Sequence, residues 1–429
     1  MKKCFLLLSL SLGLASVAQS TDKKIATYAD AIETKVIDWR RDIHENPELS
    51  NREFKTAEKI AKHLESLGIE VHTGIAKTGV VGVLKGDKPG KTVALRADMD
   101  ALPVTERVDL PFKSNVTAIY NGKESGVMHA CGHDTHVAML MGAAEILSKM
   151  KNDLKGNVVF IFQPAEEGAP PGEEGGAKLM VKEGVLKTFK VDAIFGIHIS
   201  SGTHVGKINY KPAGAMAAAQ RYEIIVKGKQ AHGSTPWNSV DPIMVSAQII
   251  NGLQTLVSRE AQLTKEAAVV SVGMINAGIR NNIIPESAQI VGTIRTLDYD
   301  MQKKLNDRMK EMVTTIAKAY RAEATVSISD GALITYNDPD LTAKMLPSLE
   351  KVAGKEHVNL VPAITGAEDF SFFQKEVPGF YFFVGGTPLS MKESDAPSHH
   401  TPDFFIDESG MITGVKAYTQ VAVDYLNLK

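Results

Sequence analysis

Residues 220–228 read QRYEIIVKG, and the pattern that follows them decides how this 429-residue chain is built. The stretch reads as a strand. After it come a helical pattern at DPIMVSAQIINGLQTLVSR (241–259), strands at AAVVSVGMI (267–275) and AQIVGTIRT (288–296), a second helix at DMQKKLNDRMKEMVTTIAKAY (300–320) and a strand at AEATVSISD (322–330). The order β-α-β-β-α-β is that of the ferredoxin-like split unit. It predicts a compact insert over residues 214–330, entered through the small-residue stretch KPAGAMAAA (211–219). An insert whose ends lie close together can sit on a host domain as a lid and move relative to it.

Outward from the insert the rhythm changes. Apolar residues recur at helical spacing from Ala29 to about Leu67, and short apolar runs at VVGVL (80–84) and TVALRA (92–97) read as strands. A helix over Thr135–Met150, a strand at NVVFIFQP (157–164), a helix near 175–183 and a strand at AIFGIHI (193–199) complete an α/β pattern with helices on the faces of a sheet. The host resumes at about 331 and closes with a helix over 409–426. Two domains are therefore expected: an α/β, mixed-sheet domain over 21–213 and 331–429, and the insert over 214–330. No G-x-G-x-x-G follows the early strands, which argues against a Rossmann domain, and there are no eight repeats of a barrel.

Composition narrows the class. Hydrophobic residues make up 44% and charged residues 23% of the chain, the profile of a soluble globular protein. With 48 basic against 50 acidic residues there is no basic footprint for nucleic acid. The first residues, MKKCFLLLSLSLGLASVAQS, combine Lys2 and Lys3, an apolar run to about Val17 and small residues at Ala18 and Ser20, the pattern of a cleaved signal peptide over 1–20. The run falls short of the roughly 20 residues that a spanning helix needs. The expectation is a protein secreted to the periplasm of a host with an outer membrane, without a membrane span. Cleavage would remove Cys4 and leave Cys131 as the only cysteine, unable to form an intramolecular disulfide.

That cysteine stands in MHACGHDTH (128–136), beside His129, His133, Asp134 and His136. Cys131 and His133 flank Gly132 in a turn just before a helix, so both side chains converge if the backbone folds tightly there. Read alone, the stretch also suits a buried structural cysteine beside an N-capping Asp134. QPAEEG (163–168) places Glu166 and Glu167 at the carboxyl end of an apolar strand, where ligand sites form in open α/β sheets. Adjacent side chains point apart, so one carboxylate can bind metal while the other reaches water as a general base. His198 ends another apolar strand, where burial without a partner is costly. His399 and His400 precede Thr401-Pro402 in a loop ahead of the last helix.

In this order the motifs resemble the metallopeptidase family of aminoacylases, hippurate hydrolases and amidohydrolases of auxin–amino acid conjugates. The likeness runs through Arg41-Asp-Ile-His-Glu-Asn-Pro-Glu48, Leu95-Arg-Ala-Asp-Met-Asp-Ala-Leu-Pro103, HACGHD (129–134), QPAEEG, Gly196-Ile-His198, Gly366-Ala-Glu-Asp-Phe370 and the final His-Thr-Pro. The resemblance implies a catalytic α/β domain carrying two divalent ions (zinc, manganese or cobalt) and a dimerising lid. It makes Cys131, His133, Glu167, His198 and His400 the metal ligands, with Cys131 bridging, and Glu166 the general base. Asp98, Asp100, Asp134 and His136 then orient those ligands. In the lid, His232 of the GKQAHGSTPWNSVDP loop (228–242) and Asn282 match substrate-binding loops, with His232 stabilising the oxyanion; Gln-Ala-His and Thr-Pro-Trp depart from the commoner form of that loop.

The function implied is an exported, metal-dependent amidohydrolase acting on N-acyl or aminoacyl amino acids. The partners are then a small N-acyl amino acid or short peptide and a second copy of the chain through the lid. A metallo-carboxypeptidase or dipeptidase is the alternative within enzymes, and a periplasmic metal- or solute-binding protein the alternative outside them. His129 receives no role.

Overall fold

The computed structural model describes residues 2–428, with side chains described from Thr21 onward. The chain divides into two compact units. The first comprises the residues up to Pro212, Asn337–Val361 and those from Phe372 on; the second comprises Ala213–Tyr336 and Pro362–Ser371.

The first unit is built on an eight-stranded mixed sheet. Its strands run in the order Glu70–Ile75, Gly79–Lys85, Lys155–Gln163, Lys88–Asp98, Ala193–His204, Gly379–Thr387, Ile208–Tyr210 and Val358–Leu360. The central strands Lys88–Asp98, Lys155–Gln163, Ala193–His204 and Gly379–Thr387 pair in parallel, and stretches such as Val158–Phe162 and Phe380–Val384 are continuous apolar runs because both faces are covered. Val158–Gln163 are all buried. On one side lie the helices His133–Lys149 and Met411–Leu426, and Gly142 lets Val36 and Val415 approach so closely that an added Cβ would meet both at about 3 Å. The expected single helical stretch from Ala29 to Leu67 is two helices, Lys2–Glu45 and Phe54–Ser66, separated where Asn46-Pro47 interrupts the pattern.

The second unit repeats the predicted order with close boundaries: strand Ala218–Lys227, helix Pro242–Thr255, strands Ala268–Ala277 and Ser287–Thr296, helix Tyr299–Ala319 and strand Glu323–Ile328. The four strands are antiparallel, with Ser287–Thr296 and Glu323–Ile328 flanking Ala218–Lys227 and Ala268–Ala277 at the edge. This is the ferredoxin-like arrangement expected. Asp241 and Asp298 cap the two helices by accepting the backbone N–H groups of Ile243 and Met301, each at 2.9 Å. Met301, Leu305, Met309, Val313 and Ala317 then form one buried stripe against the sheet.

Two expectations need correction. The second unit does not end at 330: it runs to Tyr336 and takes in Pro362–Ser371, because Ala217 donates its N–H to the carbonyls of Ile364 (3.2 Å) and Gly366 (2.9 Å). The second concerns secretion. The side chains on which a signal peptide was read lie outside the described ones, and the backbone from Lys2 to Glu45 is one helix with no boundary at 18–20, where cleavage was expected. That helix continues directly into Ile25, Ala29, Ile32 and Val36 of the core, so a periplasmic location finds no support. No helix among the described residues is long and apolar enough to cross a membrane.

Candidate metal centre

The side chains singled out in the first unit converge at the carboxyl ends of three neighbouring parallel strands. The turn at 131–133 is possible only with glycine at its centre: Gly132 has φ +92°, and a Cβ there would meet Ile199 at 2.4 Å. His133 opens its helix immediately afterward, and the Thr135 hydroxyl closes the turn on the Gly132 carbonyl at 2.6 Å. Cys131 Sγ lies 3.4 Å from His198 Nε2 and 3.2 Å from His400 Nε2, which in turn is 3.0 Å from Glu167 Oε1. His133 Nε2 is 3.9 Å from Glu166 Oε2.

Hydrogen bonds behind the imidazoles separate those that can bind metal from those that hold the frame. His133 and His198 use Nδ1–H to donate to the carbonyls of Asp100 (2.9 Å) and Ile199 (2.5 Å), so the Nε2 lone pair of each faces the site. His136 is different. Its Nε2 accepts the Ile199 N–H at 2.8 Å, and its Nδ1–H donates to Asp98 at 2.6 Å. His399 likewise accepts the Ser201 N–H on Nε2 (3.1 Å) and donates to the Cys131 carbonyl (3.1 Å). Both have their two nitrogens occupied by the protein.

Asp100 organises the acidic turn. Its two carboxylate oxygens accept the backbone N–H groups of Glu166 and Glu167, each at 3.1 Å, and one also accepts the Ser50 hydroxyl at 2.7 Å. Ala165, with φ +52°, gives the reversal that sends the two glutamates different ways, and its N–H donates to Glu53 at 2.9 Å. Asp98 is buried against Arg96 at 2.5 Å. Burial alone would raise its pKa, but Arg96, His133 and His136 outweigh it and hold the carboxyl well below its ordinary range.

The donor set fits divalent cations. His133 Nε2 is buried and has no hydrogen-bond partner, and the buried Glu167 Oε1 has His400 Nε2 at 3.0 Å as its ion-pair contact. Such an orphaned atom is costly unless a cation takes it. The ligand atoms of Cys131, Glu167 and His400 all lie within 4.8 Å of one another, and so do those of His133, Glu166 and Glu167. Two overlapping clusters suit two ions. The electrostatics agree: burial and the Glu167 charge push the Cys131 thiol up, while Cys131 and Glu167 push His400 up to about 10. Each shift asks for positive charge at this spot.

Residues outside the sequence-based set complete the frame. Asp134 accepts from Arg40 at 2.7 Å and lies 2.9 Å from His44 Nδ1, while His44 Nε2 is 3.2 Å from Glu106; all four are buried. Arg107, next along the chain, donates its N–H to the Pro402 carbonyl at 2.9 Å and its guanidinium to Asp403. The helix before His133 and the loop after His400 are thus tied through one ionic network. The motif at 41–48 was its only signal in the sequence. His129 is buried with neither ring nitrogen partnered, and burial pushes it down to about 3, so it sits as a neutral ring.

In the second unit, His232 and Asn282 are brought together. His232 pairs across a short two-stranded sheet with Ile283, and Gly233 donates its N–H to the Asn282 carbonyl at 2.8 Å. His232 Nδ1 accepts the Ser234 N–H at 3.1 Å, which places the proton of the neutral ring on Nε2 as an outward donor.

Comparisons with known proteins agree with this geometry. The chain is 42% identical over 410 residues to thermostable carboxypeptidase 2 of Saccharolobus solfataricus, covering 94% of this chain and 99% of that protein. It is 37% identical over 396 residues to the N-acetylcysteine deacetylase of Bacillus subtilis, covering 92% and 97%. Neither likeness supports the secretion expected from residues 1–20. Among solved structures, a Bacillus subtilis protein described as a dinuclear metal binding peptidase from the M20 family superimposes with a TM-score of 0.78 at 35% identity, over 93% of this chain and 99% of that one. The resemblance read from the motifs is borne out: the profile of Peptidase family M20/M25/M40 matches residues 94–424, and the chain belongs to that family of hydrolases.

Proposed function

We propose that the chain hydrolyses the amide bond between an acyl or aminoacyl group and an amino acid that keeps a free carboxylate. The observation that carries this reading is a second carboxylate, Glu166, whose backbone N–H is held by Asp100 and which stands in one cluster with His133 and Glu167, beside the cluster of Cys131, Glu167 and His400. A purely structural site needs ligands and no base.

Cys131, His133, Glu167, His198 and His400 would hold two divalent ions, zinc, manganese or cobalt, which when bound supply Lewis acidity to the substrate carbonyl and the attacking water. Glu166 takes the proton of that water, and attack on the amide carbon gives a tetrahedral intermediate. The same carboxyl then returns the proton to the leaving nitrogen, so carboxylate and amine separate with the proton count balanced. Asp98 and Asp100 keep His136, His133 and the glutamate turn oriented, and Asp134 anchors the start of the helix behind His133. His232, with its outward Nε2–H, serves the oxyanion, and Asn282 beside it binds substrate.

Dialysis against a chelator is expected to abolish hydrolysis of N-acetyl and N-benzoyl amino acids, and a divalent ion to restore it. Glu166→Gln should lose activity and keep its metal; loss of metal in equal measure would reassign Glu166 as a ligand. The carboxypeptidase likeness supports a second reading, in which an unblocked peptide is the better substrate, and a panel including dipeptides separates the two. A homodimer through the second unit is part of the proposal. Its edge strand Ala268–Ala277 leaves Met274 and Ile275 exposed, and Ile279 just beyond is almost fully so. Light scattering that returned a monomer at assay concentration would remove it.

A further inference from the structure

We propose that the hollow beside Glu167 receives the acyl side of the substrate and gives the enzyme a preference for acyl groups bulkier than acetyl. This rests on the amidohydrolase reading above. The cavity measures about 150 Å³ and is bordered by Glu167 and Gly168 on one side and by Leu49, Leu102, Ile119, Tyr120, Pro170 and Pro171 around the rest. Glu167, one of the proposed ligands, borders both the hollow and the cluster with Cys131 and His400, which puts the hollow next to the centre. A larger hollow that also borders Ile119, about 340 Å³, is lined by neither Glu166 nor Glu167.

Charge decides which end of the substrate fits. The one cation in the wall, Arg52, is committed to Glu173 at 2.6 Å and to the Asn51 carbonyl at 2.9 Å. A free carboxylate entering here would find the wall's cation already paired, whereas an uncharged acyl chain would cover apolar wall. The acyl end therefore belongs in the hollow and the amino-acid carboxylate elsewhere.

The hairpin that forms one wall is shaped for contact. Thr117–Tyr120 pairs with Lys123–Gly126 through Asn121-Gly122, both with positive φ (50° and 77°), the two-residue turn that Asn-Gly favours. It holds Ile119 and Tyr120 out at 71% and 42% exposure. Apolar side chains fixed in solvent on a rigid turn gain from a ligand that covers them.

The test uses the full-length, metal-reconstituted protein and the N-acetyl and N-benzoyl derivatives of one amino acid. Ile119→Ala is expected to lower the ratio of kcat/KM for benzoyl over acetyl about tenfold, because acetyl is too short to reach the removed methyls. Ile119→Lys should lower the same ratio. An unchanged ratio in both variants, with both substrates cleaved, overturns the acyl assignment and leaves the amidohydrolase reading standing. A rise in kcat/KM for both substrates with Ile119→Lys means that the carboxylate occupies the hollow, which also overturns it. If the wild-type protein cleaves neither substrate, the amidohydrolase reading itself falls and takes the assignment with it.

Discussion

The histidines of the first unit and the histidine of the second are held in opposite ways. His133, His136 and His399 each have at least one nitrogen fixed by a backbone group or carboxylate from a distant part of the chain. His232 is exposed, and its ring is held only by Ser234, two residues away. The first arrangement is set by the fold before any ligand arrives, and the second by one local turn. Damage to the first should therefore register in stability and metal content together, whereas damage to the second should register in turnover alone.

The strongest way to break this comparison is Asp134→Ala. It removes the carboxylate shared by the buried Arg40 and His44, leaving Arg40 only Glu408 and His44 only Glu106 among the acidic partners, and breaking a buried pair costs about 3–5 kcal/mol. A large fall in Tm with weakened metal retention is expected; a loss under about 1 kcal/mol would mean the network does not hold the centre. His232→Ala should lower kcat about 100-fold to 1000-fold, as for removal of an oxyanion donor, with Tm and metal content at wild-type values. A parallel fall in Tm would erase the contrast between the regions.

Glu53 sharpens it further. Burial, with the Asp100 charge beside it, pushes this carboxyl from 4.5 up to about 7. The folded state then binds that proton more tightly than the unfolded chain, so the stability is present in full below about pH 4.5 and declines as pH rises through about 7. Wild type should lose about 3 kcal/mol relative to Glu53→Gln between pH 4 and pH 8. Parallel denaturation profiles for the two proteins would count against this. The smallest effect belongs to Ser234→Ala, which keeps the backbone donor to His232 and removes the hydroxyl at 2.7 Å; kcat should drop about threefold, in line with one exposed hydrogen bond.

The sequence made the architecture legible because each element carries its own period. The stripe at Met301, Leu305, Met309, Val313 and Ala317 is helical whatever surrounds it, and NVVFIF is a strand buried on both faces. The candidate ligands were legible for a related reason: polar side chains at the ends of such strands have nothing else to do. Contacts between distant segments were not. Nothing local in Arg40 or His44 announces that they meet at Asp134, 94 and 90 residues away in the chain, or in Glu106 that it meets His44. Pro362–Ser371 has no period of its own, and only its pairing with Ala217 assigns it to the second unit. Residues 1–20 show the opposite failure, a persuasive local pattern whose expected cleavage boundary falls inside a continuous helix.

The parallel pairing of the central strands carries a consequence for how tightly the centre is specified. Asp98 stands level with Gln163, Arg96 with both Ile161 and Gly196, and His198 follows two residues after Gly196 on its own strand, level with Phe383. The sheet acts as a ruler graduated at roughly 3.3 Å per residue. A slip of one graduation would turn His198, or the Asp98 that holds His136, to the opposite face, and in Lys155–Gln163 would shift the start of the turn that carries Glu166 and Glu167. The apolar residues between these rungs therefore act as the gauge of the metal centre, and an insertion in Lys155–Gln163 would cost the enzyme its metals even where the chain still folded.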